Sequence, residues 1–183
     1  MRERPEESVL VVDFGAQYAQ LIARRVRECK VYSEIVPYDI TPQEIKEKKA
    51  KGLIFSGGPS SVYQEGAPSP NPDIFKLGLP ILGICYGHQL LALELGGKVE
   101  RTGIREYGKT EMESVGDSLL LEDLPMKQTV WMSHGDSVVG APPGFHVTAR
   151  TMSSPVAAME DLDRLLFGVQ FHPEVIHTPL GME

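Results

Sequence analysis

Cysteine is scarce: Cys29 and Cys85 are the two in 183 residues. Two thiols cannot supply a disulfide framework, and no C-x-x-C or comparable metal-ligand spacing occurs. Long apolar runs are missing as well; the longest are a handful of residues, against the ~20 needed to span a bilayer. The first residues, Met1 to Glu7, are charged where a signal peptide has an apolar core. Positive charge is short, with 18 Lys and Arg against 25 Asp and Glu for a net of −7. That argues against a nucleic-acid partner, because neutralising phosphates needs a basic face, but a small anion held by backbone amides stays compatible. With no membrane segment, no metal site and no repeat, what remains is 42% hydrophobic and 23% charged. This is the balance of one ordinary globular domain in the cytoplasm.

The pattern of what is present is βαβ. Ser8–Asp13 is a short β-branched run ended by Phe14-Gly15, as buried parallel strands are. Tyr18, Leu21, Ile22, Val26 and Cys29 then fall on one helical face, with Arg24, Arg25, Arg27 and Glu28 elsewhere. Val31–Val36 reads as a second strand. Thr41-Pro42-Gln43-Glu44 has the spacing of a capping box with Pro at the first helical position. Gly52–Ser56 and Leu79–Ile84 read as further strands, and Gln89–Leu95 as a helix stopped by Gly96-Gly97. Beyond residue 98 the segments Lys109–Val115, Gln128–Met132, His146–Thr151, Val156–Glu160 and Leu165–Phe171 are short and punctuated by turn residues. The expected fold is α/β: an open, mostly parallel, flavodoxin-like sheet flanked by helices, with an antiparallel extension in the C-terminal half. Residues 1–183 are expected to form a single domain. Thr178-Pro179 looks like a helix start with only four residues after it, so the chain is expected to be cut short at its C-terminus.

The strongest chemical signal is Gly83-Ile84-Cys85-Tyr86-Gly87, between an apolar strand and a helix. This is the context of a nucleophile elbow with Cys as the nucleophile. The glycines permit a strained turn, the turn lifts Cys85 to the carboxyl edge of the sheet, and the helix N-terminus favours negative charge there. The amide of Tyr86 becomes an oxyanion donor. Cys29, on the apolar face of a helix, has no such context.

A thiol nucleophile needs a base, and the base an orienting acid. Of the five histidines, His88, His134, His146, His172 and His177, two stand two residues before an acid. His172-Pro173-Glu174 follows a strand, where i and i+2 point the same way and Pro173 marks a strand end. His134-Gly135-Asp136 has the same spacing, with Gly135 suggesting a turn in which Asp136 bonds its own backbone. Spacing does not separate the two. Ser56-Gly57-Gly58-Pro59-Ser60 could offer amides to an oxyanion or a phosphate; no Walker lysine follows and G-x-G-x-x-G is absent. Lys46 to Lys51 reads as a solvated helix end and Arg101 to Arg105 as ordinary surface.

Gly-Ile-Cys85-Tyr-Gly-His-Gln, Ser-Gly-Gly58-Pro and Gly-Val-Gln-Phe-His172-Pro-Glu174 together resemble the class I (triad) glutamine amidotransferases, from about Val9 to the last residue. Asp13–Tyr18, Ile22–Arg25, Arg105–Gly108, Trp131–Asp136 and His177–Met182 look more specifically like the glutaminase portion of the GMP synthases. The resemblance implies Cys85 as nucleophile, His172 as base and acid, and Glu174 as its orienter. It implies the amides of Gly58 and Tyr86 as an oxyanion hole, Gln89 as a substrate contact, and Ser133, His134, Gly135 and Asp136 as the site for the amino-acid end of L-glutamine. It places ATP, Mg²⁺ and the amination of XMP on an ATP-pyrophosphatase (synthetase) partner domain or subunit that these residues do not contain, with no cofactor or metal in this chain. The rival readings are a glutaminase for anthranilate, carbamoyl phosphate or CTP synthesis, a free-standing thiol hydrolase, and a non-catalytic relic.

Overall fold

A computed structural model describes residues 7–59, 61–101, 103 and 105–183. The charged residues 1–6, Ser60, Thr102 and Ile104, parts of three segments read above, lie outside the described residues. In chain order the elements are β1 (Ser8–Asp13), α1 (Ala19–Glu28), β2 (Tyr32–Pro37), α2 (Pro42–Glu47), β3 (Gly52–Phe55), a 3₁₀ turn (Pro72–Lys76), β4 (Ile81–Ile84), α3 (Tyr86–Glu94), β5 (Lys98–Glu100), β6 (Glu106–Ser114), β7 (Lys127–His134), β8 (Ser137–Gly140), β9 (His146–Arg150), β10 (Ala158–Asp161) and β11 (Leu166–Val169).

Nine strands form one sheet in the order β2-β1-β3-β4-β11-β10-β9-β6-β7. The part from β2 to β11 is parallel, and from β11 outward every pairing is antiparallel. Leu165–Phe171 therefore does not belong wholly to the antiparallel extension, as the sequence suggested. β11 runs parallel to β4 on one side and antiparallel to β10 on the other. A short buried strand carries no mark of its direction; its neighbours decide that. β5 and β8 pair in a separate two-stranded sheet, too short for their periodicity to be read.

Residue alternation sorts the strands' side chains to two faces. Leu10, Val12, Leu53, Phe55 and Ile81 pack with Ile45 of α2, Ile74, and Leu90 and Leu91 of α3. Val11, Ile84 and Val169 pack with Ala19, Ile22 and Ala23 of α1 and with Met112, Val130 and Met132 of the antiparallel part. Each such aliphatic side chain contributes about 1.5–3 kcal/mol by leaving water.

α2 starts as its capping box predicts: Glu44 N–H donates to Thr41 Oγ1 at 3.2 Å and Thr41 N–H to Glu44 Oε2 at 2.8 Å. α3 is buried from Tyr86 through Ala92, because it lies between the large sheet and the β5–β8 pair. α1 differs from expectation: its buried stripe is Ala19, Ile22 and Ala23, while Cys29 is exposed at the helix end. Val26 and Cys29 line an open groove of about 340 Å³ together with Ile54 of β3, Leu82 of β4 and Phe171.

Candidate active site

Cys85 sits between β4 and α3 at φ 53°, ψ −100°. Such backbone costs a non-glycine residue about 1–3 kcal/mol and persists only when its surroundings over-determine it. Here they do: Cys85 N–H donates to Val169 O at 2.8 Å, Gly87 N–H to Ser56 O at 3.2 Å, and Gln89 N–H to Cys85 O at 3.1 Å. The two glycines are required by space. A Cβ on Gly83 would lie 2.5 Å from Gly87 O, and one on Gly87 would lie 2.5 Å from Phe55 O.

His172 lies just beyond β11, and β7 holds it. Its N–H donates to Trp131 O at 2.9 Å. Thr178 Oγ1 donates to His172 O at 2.6 Å and accepts from Trp131 N–H at 3.0 Å. Thr178, read in the sequence as a helix cap, thus uses its side chain to tie His172 to β7. The edge of Tyr18 flanks the imidazole at 5.3 Å between centroids. Nδ1–H donates to Glu174 Oε1 at 2.7 Å, which leaves Nε2 for Cys85, the ring's other hydrogen-bonding partner. Burial disfavours a charged ring, but the hydrogen bonds and charges of Cys85 and Glu174 outweigh it and push His172 up to about 10. The imidazole therefore keeps its proton at neutral pH. The sulfur is also 3.7 Å from Gln170 Nε2 and 3.6 Å from Ser133 O. Glu174 is fixed from behind, where Arg25 Nε donates to its carbonyl at 2.9 Å.

In front of the sulfur opens a pocket of about 920 Å³. Gly58, Cys85, Tyr86, Gln89, Ser133, His134, Gly135 and Asp136 all line it, with Arg101, Arg105 and Tyr107 at the mouth. Gly58 lies flat on the Tyr86 ring, where a Cβ would fall 2.4 Å from Cγ. Tyr86 opens α3, so its N–H has no carbonyl of the helix to donate to. Its hydroxyl donates to Pro68 O at 2.7 Å, and burial pushes it up to about 12. Gln89 Nε2 donates to Asp136 O at 2.7 Å and to Gln170 Oε1 at 3.3 Å; it braces the pocket wall.

The second histidine pair is not what its spacing suggested. At Gly135 the chain turns from β7 to β8, so the carboxylate of Asp136 does not meet His134. His134 Nδ1 faces the main-chain oxygen of Asp136 at 2.9 Å, and Nε2 faces Glu106 Oε2 at 3.0 Å. Nor does the Asp136 carboxylate bond its own backbone: Oδ1 is 3.7 Å from Arg101, and Oδ2 is buried with no hydrogen-bond partner among the described residues. His88 is buried and neutral, held at about 4 by desolvation, while His146 and His177 are exposed.

Sequence reading missed Gln170 and Glu106. Gln170 was within reach, standing two residues before His172 on the same side of an extended chain. Glu106 was not: 28 residues separate it from His134.

The chain matches the model of a family described as glutamine amidotransferase class-I over residues 10–183. It is 63% identical over 175 residues to a glutamine-hydrolysing GMP synthase of Thermobifida fusca, covering 96% of this chain and 33% of that protein. To the enzyme of the same name from Mycobacterium tuberculosis it is 56% identical over 181 residues, covering 99% and 34%. It thus spans about a third of the length of these relatives. Among solved structures, a Thermoplasma acidophilum protein assigned as one subunit of a GMP synthase superposes with a TM-score of 0.82 at 31% identity, covering 98% of this chain and 90% of that one. A Thermotoga maritima glutamine amidotransferase, at 23% identity, shares the fold with a TM-score of 0.75, covering 94% and 78%.

Proposed function

The chain belongs to the class-I glutamine amidotransferase family, and on that premise we propose that it hydrolyses glutamine as the ammonia-supplying part of a GMP synthase. The observation that carries this reading is the meeting of Cys85, on a strained elbow, with an imidazole that Glu174 orients from its far side.

Glutamine enters the 920 Å³ pocket with its side-chain amide toward Cys85. The Asp136 carboxylate, whose Oδ2 has no hydrogen-bond partner among the described residues, takes the α-ammonium, and the Ser133–Gly135 backbone supports the same end. The Cys85 thiolate attacks the amide carbon, and the carbonyl electrons move onto oxygen. The N–H groups of Gly58 and Tyr86 receive that oxyanion, where fixed donors are worth most. As the tetrahedral species collapses, His172 Nε2–H passes its proton to the departing nitrogen, releasing ammonia and leaving a thioester. His172 then takes a proton from water, and the hydroxide attacks the thioester. Glutamate leaves, and the thiolate–imidazolium pair is restored.

Ammonia then passes to an ATP-pyrophosphatase portion, which uses ATP and Mg²⁺ to activate XMP and yields GMP. The reading also places the protein in the cytoplasm. Among the described residues no helix is long and apolar enough to cross a membrane.

The test is glutamate release from glutamine, with Cys85→Ala as control, run with and without a synthetase portion, ATP, Mg²⁺ and XMP. Turnover that rises on adding XMP to the coupled system supports the reading. Full turnover indifferent to the synthetase favours a free-standing hydrolase, and turnover unaffected by Cys85→Ala removes the mechanism.

A further inference from the structure

Glu106 is a buried carboxylate on β6, and the mechanism above does not use it. It is 7% exposed, yet three side chains donate to it: His134 Nε2 at 3.0 Å, Ser154 Oγ at 2.7 Å and Thr151 Oγ1 at 2.8 Å. Burial alone would push its proton on. These hydrogen bonds outweigh burial and hold it down at about 2. Hydrogen bonds from these side chains take the place of water around its charge.

One of these partners, His134, reaches a second group as well. Nε2 faces a carboxylate oxygen and Nδ1 faces the carbonyl oxygen of Asp136 at 2.9 Å, so the ring bridges the Glu106 side chain and the Asp136 backbone. Ser137 Oγ is also near Nδ1, at 3.5 Å, too far to compete with the carbonyl. Asp136 O is pinned a second time, by Gln89 Nε2 at 2.7 Å. The residue thus held on both sides lines the pocket, and its Oδ2 has no hydrogen-bond partner among the described residues.

We propose that Glu106 is a positioning residue for substrate binding: through its hydrogen bond with His134 it fixes the Asp136 backbone and so aims the Asp136 carboxylate at the α-ammonium of glutamine. This rests on the glutaminase reading above. The influence of Glu106 falls on the amino-acid end of the substrate and not on the sulfur.

The test compares glutamine with glutaramate, which is glutamine without its α-amino group, in the protein at its natural full length. Affinity is read as protection of Cys85 from iodoacetamide, followed on the Cys85 peptide, and glutamine turnover is measured alongside. Glu106→Gln should weaken glutamine protection about tenfold, the loss of one charge-assisted hydrogen bond in the relay. Glutaramate protection should be unchanged and kcat should stay within about threefold. Equal loss for both ligands, or loss of neither, overturns the proposal. Should Glu106→Gln not fold, Glu106→Asp, which keeps the carboxylate but shortens its reach, is tested in the same way: weaker glutamine protection with unchanged glutaramate protection supports the proposal, and equal loss for both ligands or loss of neither overturns it. A wild type that neither binds nor hydrolyses glutamine sinks the glutaminase reading itself, an outcome distinct from normal wild-type activity with an unaffected Glu106→Gln.

Discussion

Two histidine–carboxylate pairs are buried in this protein, both within hydrogen-bond distance, at 2.7 Å for His172–Glu174 and 3.0 Å for His134–Glu106. Their chemistry is alike and their roles diverge because of what the second ring nitrogen meets. For His172 it meets the Cys85 thiol, a group that gives and takes a proton, so the pair can shuttle one. For His134 it meets a backbone carbonyl, which can only accept. That pair is locked, and a locked pair positions rather than reacts. A histidine beside an acid is thus a catalytic base only where its far nitrogen is left for chemistry.

The largest effect that would break this contrast is on His172. His172→Ala should lower kcat for glutamine hydrolysis by about 10⁴-fold or more, since members of a triad act as a unit. A comparable kcat loss in His134→Ala would mean that the roles are reversed. Glu174→Gln keeps the shape but loses the charge behind the ring, and kcat should fall about a thousandfold with KM little changed. His134→Ala should instead raise KM for glutamine some ten- to a hundredfold while kcat holds, because it frees the Asp136 turn without touching the sulfur; steady-state kinetics separates the two patterns.

The smallest effect is on stability against pH, where the pairs should fail at opposite ends. Glu106 titrates at about 2 when folded against an ordinary 4.5. Its contribution is complete above 4.5 and drains as pH falls toward 2. His172 titrates at about 10 against 6.5, so its contribution is complete below 6.5 and is lost as pH rises through 10. Denaturation midpoints across pH should therefore show a shallower acid limb in Glu106→Gln and a shallower alkaline limb in His172→Ala. The reverse assignment would contradict the hydrogen-bond geometry.

Much of this was legible in the chain because it is local. The elbow needs Gly83 and Gly87 within two residues of Cys85, since a Cβ at either would strike backbone at 2.5 Å, and such a constraint leaves its mark in consecutive letters. The His172–Glu174 pair is two residues long, and the Thr41–Glu44 capping box three. Cys29 misled because helical periodicity says which face is apolar but not whether anything covers it. At Asp136 the turn that Gly135 suggested is present, but the carboxylate does not bond its own backbone, which a turn residue in the sequence does not reveal.

The sequence by itself determined the βαβ pattern, the elbow and the catalytic-type pair, all contacts between residues a few positions apart, where covalent geometry limits the outcomes. Only the tertiary structure decided the direction of β11, the company of Glu106 and the different partners of two like histidines. Those depend on β6 lying beside β7, on a carboxylate meeting a ring 28 residues away, and on which acceptor the fold sets against the second nitrogen.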